Sequence, residues 1–187
     1  MTKILLLQGA NMSWLGRRQP EIYGTTTADQ LNEMLRSHAG EHDYDLDIFY
    51  THVEGEAIAR VFQAVEEGVD GLVMNPAGFT YRGEALRDCI LDCAELPYIE
   101  VHISNLAKRD VKSVLASAAD GMLMGFGLQS YLLALDAMLD LLQKRFWRAG
   151  NLLQGAIQAY SSKILQLLVS VLMLNGVSIF WPWLLQY

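Results

Sequence analysis

The run Ile4-Leu5-Leu6-Leu7 narrows the fold more than any other feature of this chain. A strand with one wet face alternates apolar and polar side chains. Four aliphatic residues in a row instead require a strand covered on both faces, as in a parallel sheet flanked by helices. The rest of the chain supplies the matching parts. After Thr25-Thr26-Thr27, which resembles a helix start, Leu31, Met34, Leu35 and His38 recur at helical spacing. Residues 44–50 alternate Leu46, Ile48 and Tyr50 with polar partners, which predicts a strand with one wetter face. Residues 54–67 carry Ile58, Val61, Phe62 and Val65 on one helical stripe. Residues 71–75 predict a third strand, and 76–81 a loop. Residues 82–94 predict a helix carrying Ala85, Leu86, Cys89 and Ile90. A fourth strand follows at 98–103, a polar connection at 104–120, a fifth strand at 121–126 and a final helix from 127 to about 147. Strands alternating with helices in this way predict an α/β fold with a five-stranded parallel sheet and right-handed crossovers. Ligands of such folds bind beyond the carboxyl ends of the strands, where the loops at 11–23, 75–81 and 102–112 converge.

Charge and motifs exclude several function classes. The net charge of −7 over 187 residues argues against a partner gripped by its phosphate backbone, so no nucleic acid is expected. Neither GxGxxG nor GxxxxGK[ST] occurs, and GxSxG and HExxH are also missing. Cys89 and Cys93 stand four apart on one predicted helix face. They read as buried, reduced thiols, because a disulfide along one helix has poor geometry and no His lies near enough in sequence for a metal set. No metal site is expected. Met-Thr-Lys leads straight into a strand, which does not look like a secretory leader.

The residues with chemical potential sit on the converging loops. The stretch from Gly9 to Gly24 is polar, glycine-rich and follows a buried strand. It holds Tyr23 with Arg17 and Arg18 close by. A tyrosine is a base only as phenolate, a form that a neighbouring guanidinium favours; the alternative is a loop tyrosine packed on its neighbours. Glu100 and His102 are two apart on a predicted strand and share a face, so the carboxylate can fix the imidazole for acid catalysis. The alternative is a structural histidine. Asn75 either shapes the turn before Pro76 or binds a polar ligand, and backbone N–H groups at Ser104-Asn105 suit a carboxylate. His38, His42 and His52 read as solvated surface residues, and Arg87 with Asp88 as a surface or intersubunit ion pair.

Four blocks in order resemble type II dehydroquinase, the 3-dehydroquinate dehydratase of the shikimate and quinate routes. They are residues 15–24 (Leu-Gly-Arg-Arg-Gln-Pro-Glu-Ile-Tyr-Gly), Asn75-Pro-Ala-Gly-Phe-Thr80 with Ala85-Leu-Arg-Asp88, Ile99-Glu-Val-His-Ile-Ser-Asn105, and residues 125–134 (Gly-Phe-Gly-Leu-Gln-Ser-Tyr-Leu-Leu-Ala). The resemblance runs from about Lys3 to Leu135. It implies a flavodoxin-like three-layer sandwich, a cytoplasmic lyase without cofactor, and a homododecamer built from trimers. By the family pattern, Tyr23 removes a C2 proton next to the ketone, Arg18 keeps that tyrosine ionised, and Asn11 helps hold a water at the enolate. His102, oriented by Glu100, protonates the leaving C1 hydroxyl. Asn75, with Ile103 and Ser104, holds the carboxylate and nearby hydroxyl. The resemblance also places Tyr81, Asp88 and Lys112 among the substrate-contacting residues. Tyr81 stands where the family has His, and Lys112 stands in for a second arginine within a shortened connection. Two alternatives accompany this reading: a divergent homologue acting on a different hydroxy-ketoacid, and a non-catalytic oligomeric binding protein.

The resemblance ends by Leu152. Residues 1–148 read as the dehydroquinase-like domain and 149–187 as an apolar helical extension. Residues 164–185 contain no charged side chain and are long enough to span a bilayer, with Trp181, Trp183 and Tyr187 near one end. Three readings of this tail stand side by side: a membrane anchor, a helix docked on the domain or a neighbouring subunit, and a C-terminus without a role.

Overall fold

The computed structural model describes residues 1–174. The chain divides into two compact units, Met1–Leu142 and Gln143–Tyr187. The first is built on β1 (Thr2–Ala10), β2 (Tyr44–Tyr50), β3 (Gly71–Ala77), β4 (Tyr98–His102) and β5 (Gly121–Met124). All pairs are parallel, and the strand order is β2-β1-β3-β4-β5. This is the flavodoxin-like doubly wound order, which reverses direction between β1 and β3.

The helices are α1 (Pro20–Tyr23), α2 (Ala28–Glu41), α3 (Glu54–Glu66), α4 (Glu84–Asp92) and α5 (Gln129–Leu174). The period-two geometry of β1 sorts its apolar run into two cores. Ile4 and Leu6 pack with Leu31 and Leu35 of α2 and with Tyr131, Leu135 and Met138 of α5. Leu5 and Leu7 pack on the other face with Ala57 and Val61 of α3 and with Leu86, Cys89 and Ile90 of α4. Burying one strand on both faces thus explains four consecutive aliphatics. Thr27 caps α2 through a reciprocal box with Gln30: its hydroxyl accepts the Gln30 N–H, and the Gln30 side chain accepts the Thr27 N–H.

Several expectations are corrected. Of the predicted α3 stripe, Val61 is buried and Ile58 packs partly buried on the core, but Phe62 and Val65 are exposed and the small Ala57 and Ala64 are buried in their place. In α4, Ala85 is exposed. The final helix does not stop near Trp147 but continues to Leu174. His38 is not a surface residue: it is buried, with its Nδ1 2.9 Å from the Tyr44 hydroxyl and its Nε2 3.0 Å from Asp136. Both ring nitrogens are therefore occupied, tying α2 to β2 and α5. His42 stacks on it at 4.1 Å and donates through Nδ1 to the His38 carbonyl. Cys89 and Cys93 are free, and burial pushes the Cys89 thiol up to about 12.

The second unit starts at Gln143, and its described part continues α5. Among the described residues no helix is long and apolar enough to cross a membrane. The apolar stretch 164–185 lies partly outside the described residues, as do Trp181, Trp183 and Tyr187.

Candidate active site

The carboxyl ends of β1, β3 and β4 frame a solvent-open cavity. Its polar lining is Asn11, Arg18, Tyr23, Asn75, Thr80, Tyr81, His102, Ser104 and Arg109. Met12, Leu15, Ala77, Ile103 and Leu106 supply apolar wall. That mixture of polar and apolar lining suits a small polar molecule. The sheet comes together tightly at this edge: a Cβ on Gly9 would stand 2.1 Å from the Pro76 carbonyl oxygen.

Backbone strain gathers in the same place. Non-glycine residues with positive φ include Asn11 (79°), Gln19 (42°), Ala77 (48°) and Asp110 (51°). Asn11 begins the loop after β1, Gln19 precedes α1, Ala77 ends β3, and Asp110 follows the turn that carries Arg109. Such conformations persist only where the surrounding structure enforces them, which is common at functional sites.

His102 and Glu100 form a buried pair on β4, with Nε2 2.6 Å from the carboxylate. Glu100 is fully buried and also accepts the Tyr98 hydroxyl at 3.1 Å. Two donors are the compensation a buried carboxylate requires. Burial, with the Glu100 charge beside it, holds the Tyr98 phenol well above its ordinary value, so it stays a donor. Because His102 Nε2 faces Glu100, Nδ1 is the ring nitrogen left for other partners. The shared-face prediction for these residues is met.

Asn75 is buried and held from both ends of its amide. Its Oδ1 accepts the Ala77 N–H at 3.1 Å, shaping the turn, and its Nδ2 donates to the Tyr131 hydroxyl at 2.8 Å. Tyr131 passes its own proton to Gln8 Oε1, also at 2.8 Å. The two readings of Asn75 are thus compatible: it shapes the turn and lines the cavity.

On the loop side, Arg18 lies 5.6 Å from the centre of the Tyr23 ring, whereas Arg17 sits over Trp14 at 5.5 Å. This decides which of the two arginines accompanies the tyrosine. Arg109 was not singled out from sequence, where it stood in a basic run of no evident direction. Its Nη1 donates to the Tyr23 hydroxyl at 3.2 Å and to Ser104 Oγ at 3.0 Å. The available clue was its place on a short turn after Ser104-Asn105, where Asn105 Oδ1 accepts the Lys108 N–H.

Two expected substrate contacts do not line this cavity. Asp88 is on exposed α4 surface, bonded to Arg87 at 2.7 Å. Lys112 lies in a separate groove with Asp110, Val111 and Ser113. Tyr81 is at the cavity rim and 53% exposed. His52 is exposed, as expected, and it also bonds the loop: its Nδ1 is 3.0 Å from the Asn11 nitrogen, and its Nε2 is 3.0 Å from Ser13 Oγ.

The family model described as Dehydroquinase class II matches residues 2–139. The chain belongs to the class II dehydroquinase family. It is 44% identical over 147 residues to the 3-dehydroquinate dehydratase of Thioalkalivibrio sulfidiphilus, covering 77% of this chain and 99% of that protein. The 3-dehydroquinate dehydratase of Cellvibrio japonicus is 41% identical over 145 residues, covering 76% and 97%. Among solved structures, the type II dehydroquinase from Butyrivibrio crossotus superposes with a TM-score of 0.71 at 31% identity, over 73% of this chain and 97% of that one. The type II dehydroquinase from Propionibacterium acnes gives 0.68 at 34% identity, over 76% and 97%. The family-model match ends at residue 139, before the second unit begins.

Proposed function

We propose that this dehydroquinase converts 3-dehydroquinate to 3-dehydroshikimate and water through an enolate, in the shikimate or quinate route. The observation that carries the reading is one cavity with a tyrosine flanked by two guanidinium groups and a histidine paired to a buried carboxylate. Removing a proton α to a ketone needs a base, a stabiliser for the enolate oxygen and an acid for the leaving hydroxyl. Tyr23 is the base, taking a C2 proton. Arg18 and Arg109 place positive charge where the phenolate must form. Asn11 holds a water at the enolate oxygen. His102, oriented by Glu100, gives its proton to the C1 hydroxyl as the C1–O bond breaks. The enolate oxygen returns to a ketone, the C1=C2 double bond forms, and water leaves. Asn75 and the Ile103–Ser104 backbone hold the carboxylate and the adjacent hydroxyl.

A different hydroxy-ketoacid is the second reading, favoured by Tyr81 at the rim and by Lys112 standing outside the cavity. We further propose a cytoplasmic homododecamer, with 149–187 as an apolar extension of a domain spanning 1–148. In such an assembly Asp88 would serve a site only across a subunit contact. Purified protein mixed with 3-dehydroquinate is expected to develop the absorbance of a conjugated enone. No turnover by protein with intact circular dichroism contradicts the assignment. Sedimentation of the full chain tests the dodecamer, and a monomer contradicts it.

A further inference from the structure

We infer that His52 is a positioning residue that holds the root of the Tyr23 loop through the lone pair of its Nδ1. It stands outside the cavity and acts through Asn11.

The ladder between β1 and β2 runs in register to Gln8 opposite Tyr50, and one more bond follows, from the Thr51 N–H to the Gln8 carbonyl at 3.0 Å. Beyond that point the strands part. β1 ends at Ala10, and Asn11 turns into the left-handed region at φ 79° to start the short helix Met12–Trp14. Its N–H leaves the ladder needing an acceptor, because an amide hydrogen can only donate. The His52 ring supplies one, with Nδ1 at 3.0 Å. This assigns the tautomer. Nδ1 carries the lone pair, the ring proton is on Nε2, and Nε2–H donates to Ser13 Oγ at 3.0 Å. One imidazole therefore spans Asn11 to Ser13, extending the ladder by a side chain where the backbone no longer can.

The chain that carries the ring is itself held. Thr51 is 4% exposed; its hydroxyl accepts the Val53 N–H at 3.0 Å and donates to the Glu56 carboxylate. The chain on either side of His52 is thus fixed while its ring reaches across to the loop. Asn11 and Met12 line the cavity, and the same loop runs on to Arg18 and Tyr23. Loosening the Asn11 end disturbs the groups assigned to the base and the enolate. It leaves Asn75, held on β3 by Ala77 and Tyr131, undisturbed. That last point rests on the proposed function and predicts a loss in kcat rather than in KM.

Side-chain length makes the idea sharp. In asparagine, Oδ1 is as many bonds from the backbone as Nδ1 is in histidine, so H52N can still accept the Asn11 N–H. Glutamine reaches only the Nε2 position, so H52Q keeps at most the Ser13 contact. Alanine keeps neither. The experiment is hydrogen–deuterium exchange of residues 11–14 by mass spectrometry on the full chain, with kcat and KM for 3-dehydroquinate in parallel. We expect the wild type and H52N to protect this segment alike. H52Q and H52A should exchange it about tenfold faster and lose about tenfold in kcat, the scale of one net hydrogen bond, with KM within about twofold. Equal exchange in all four proteins overturns the inference, as does an H52N protein as impaired as H52A. If the wild type does not act on 3-dehydroquinate, the functional assignment fails while the exchange arm still decides the role of His52.

Discussion

The two halves of the cavity are built in opposite ways. The sheet half presents Asn75, Glu100 and His102, each under 5% exposed and each fixed by hydrogen bonds of 2.6 to 3.1 Å to neighbours on the sheet or on α5. The loop half presents Arg18, Tyr23 and Arg109. Its side chains are held by exposed hydrogen bonds, from Arg109 to Tyr23 at 3.2 Å and to Ser104 at 3.0 Å, with His52 at the loop's root, and by guanidinium groups 5.6 and 5.9 Å from the tyrosine ring. In the sheet half a charged carboxylate is affordable only because two donors satisfy it, so geometry there is set by burial. In the loop half geometry depends on charge, across residues 86 positions apart. The acid is preset by the fold, whereas the base is assembled over it.

Breaking the loop half at its reacting group is expected to have the largest effect. Tyr23→Phe keeps the ring between its arginines but removes the base, and kcat should fall by about 10³-fold or more, within the range for general-base catalysis. Steady-state assay checks this, with circular dichroism confirming the fold. Glu100→Gln tests the sheet half more gently. The amide is isosteric but cannot stabilise a charged imidazole, so kcat should fall about 10²-fold while KM changes little. Tyr131→Phe probes the support behind Asn75. It leaves Asn75 Nδ2 and Gln8 Oε1 without their shared partner and should destabilise the protein by about 1–3 kcal/mol in denaturant titration.

The smallest effect is a pH dependence of stability. Burial raises the Tyr98 and Tyr131 phenols above their ordinary value of 10.0. Below that pH both the folded and the unfolded chain hold these protons, and the stability difference is intact. Above it the unfolded chain releases them and the folded chain does not, so stability must fall as pH rises. Thermal melts from pH 9 upward should show this decline, and it should be shallower in Tyr131→Phe.

The same contrast explains what could be read from the sequence. The sheet half was legible because strand periodicity is local. Glu100 and His102 are two residues apart and had to share a face, and Ile4 to Leu7 had to be buried on both sides. The α3 stripe was right at Ile58 and Val61 but wrong at its other two positions, because small residues, Ala57 and Ala64, complete the buried contact. Periodicity weighted by size picked Phe62 and Val65 instead. Arg109 and His52 were missed for another reason. Each acts through one bond to a residue distant in sequence, Tyr23 and Asn11, and no local pattern encodes such a pairing. His38 was misread likewise, since its partners Tyr44 and Asp136 come from two other elements.

The division of labour between a loop-borne base and a strand-borne acid is tested most directly by solvent deuterium exchange at substrate C2, followed by NMR of 3-dehydroquinate in D₂O. His102→Ala lacks the acid but keeps the base, so it should wash deuterium into C2 while forming almost no 3-dehydroshikimate. Tyr23→Phe should do neither. Exchange by Tyr23→Phe at the rate of His102→Ala would contradict the assignment of the base.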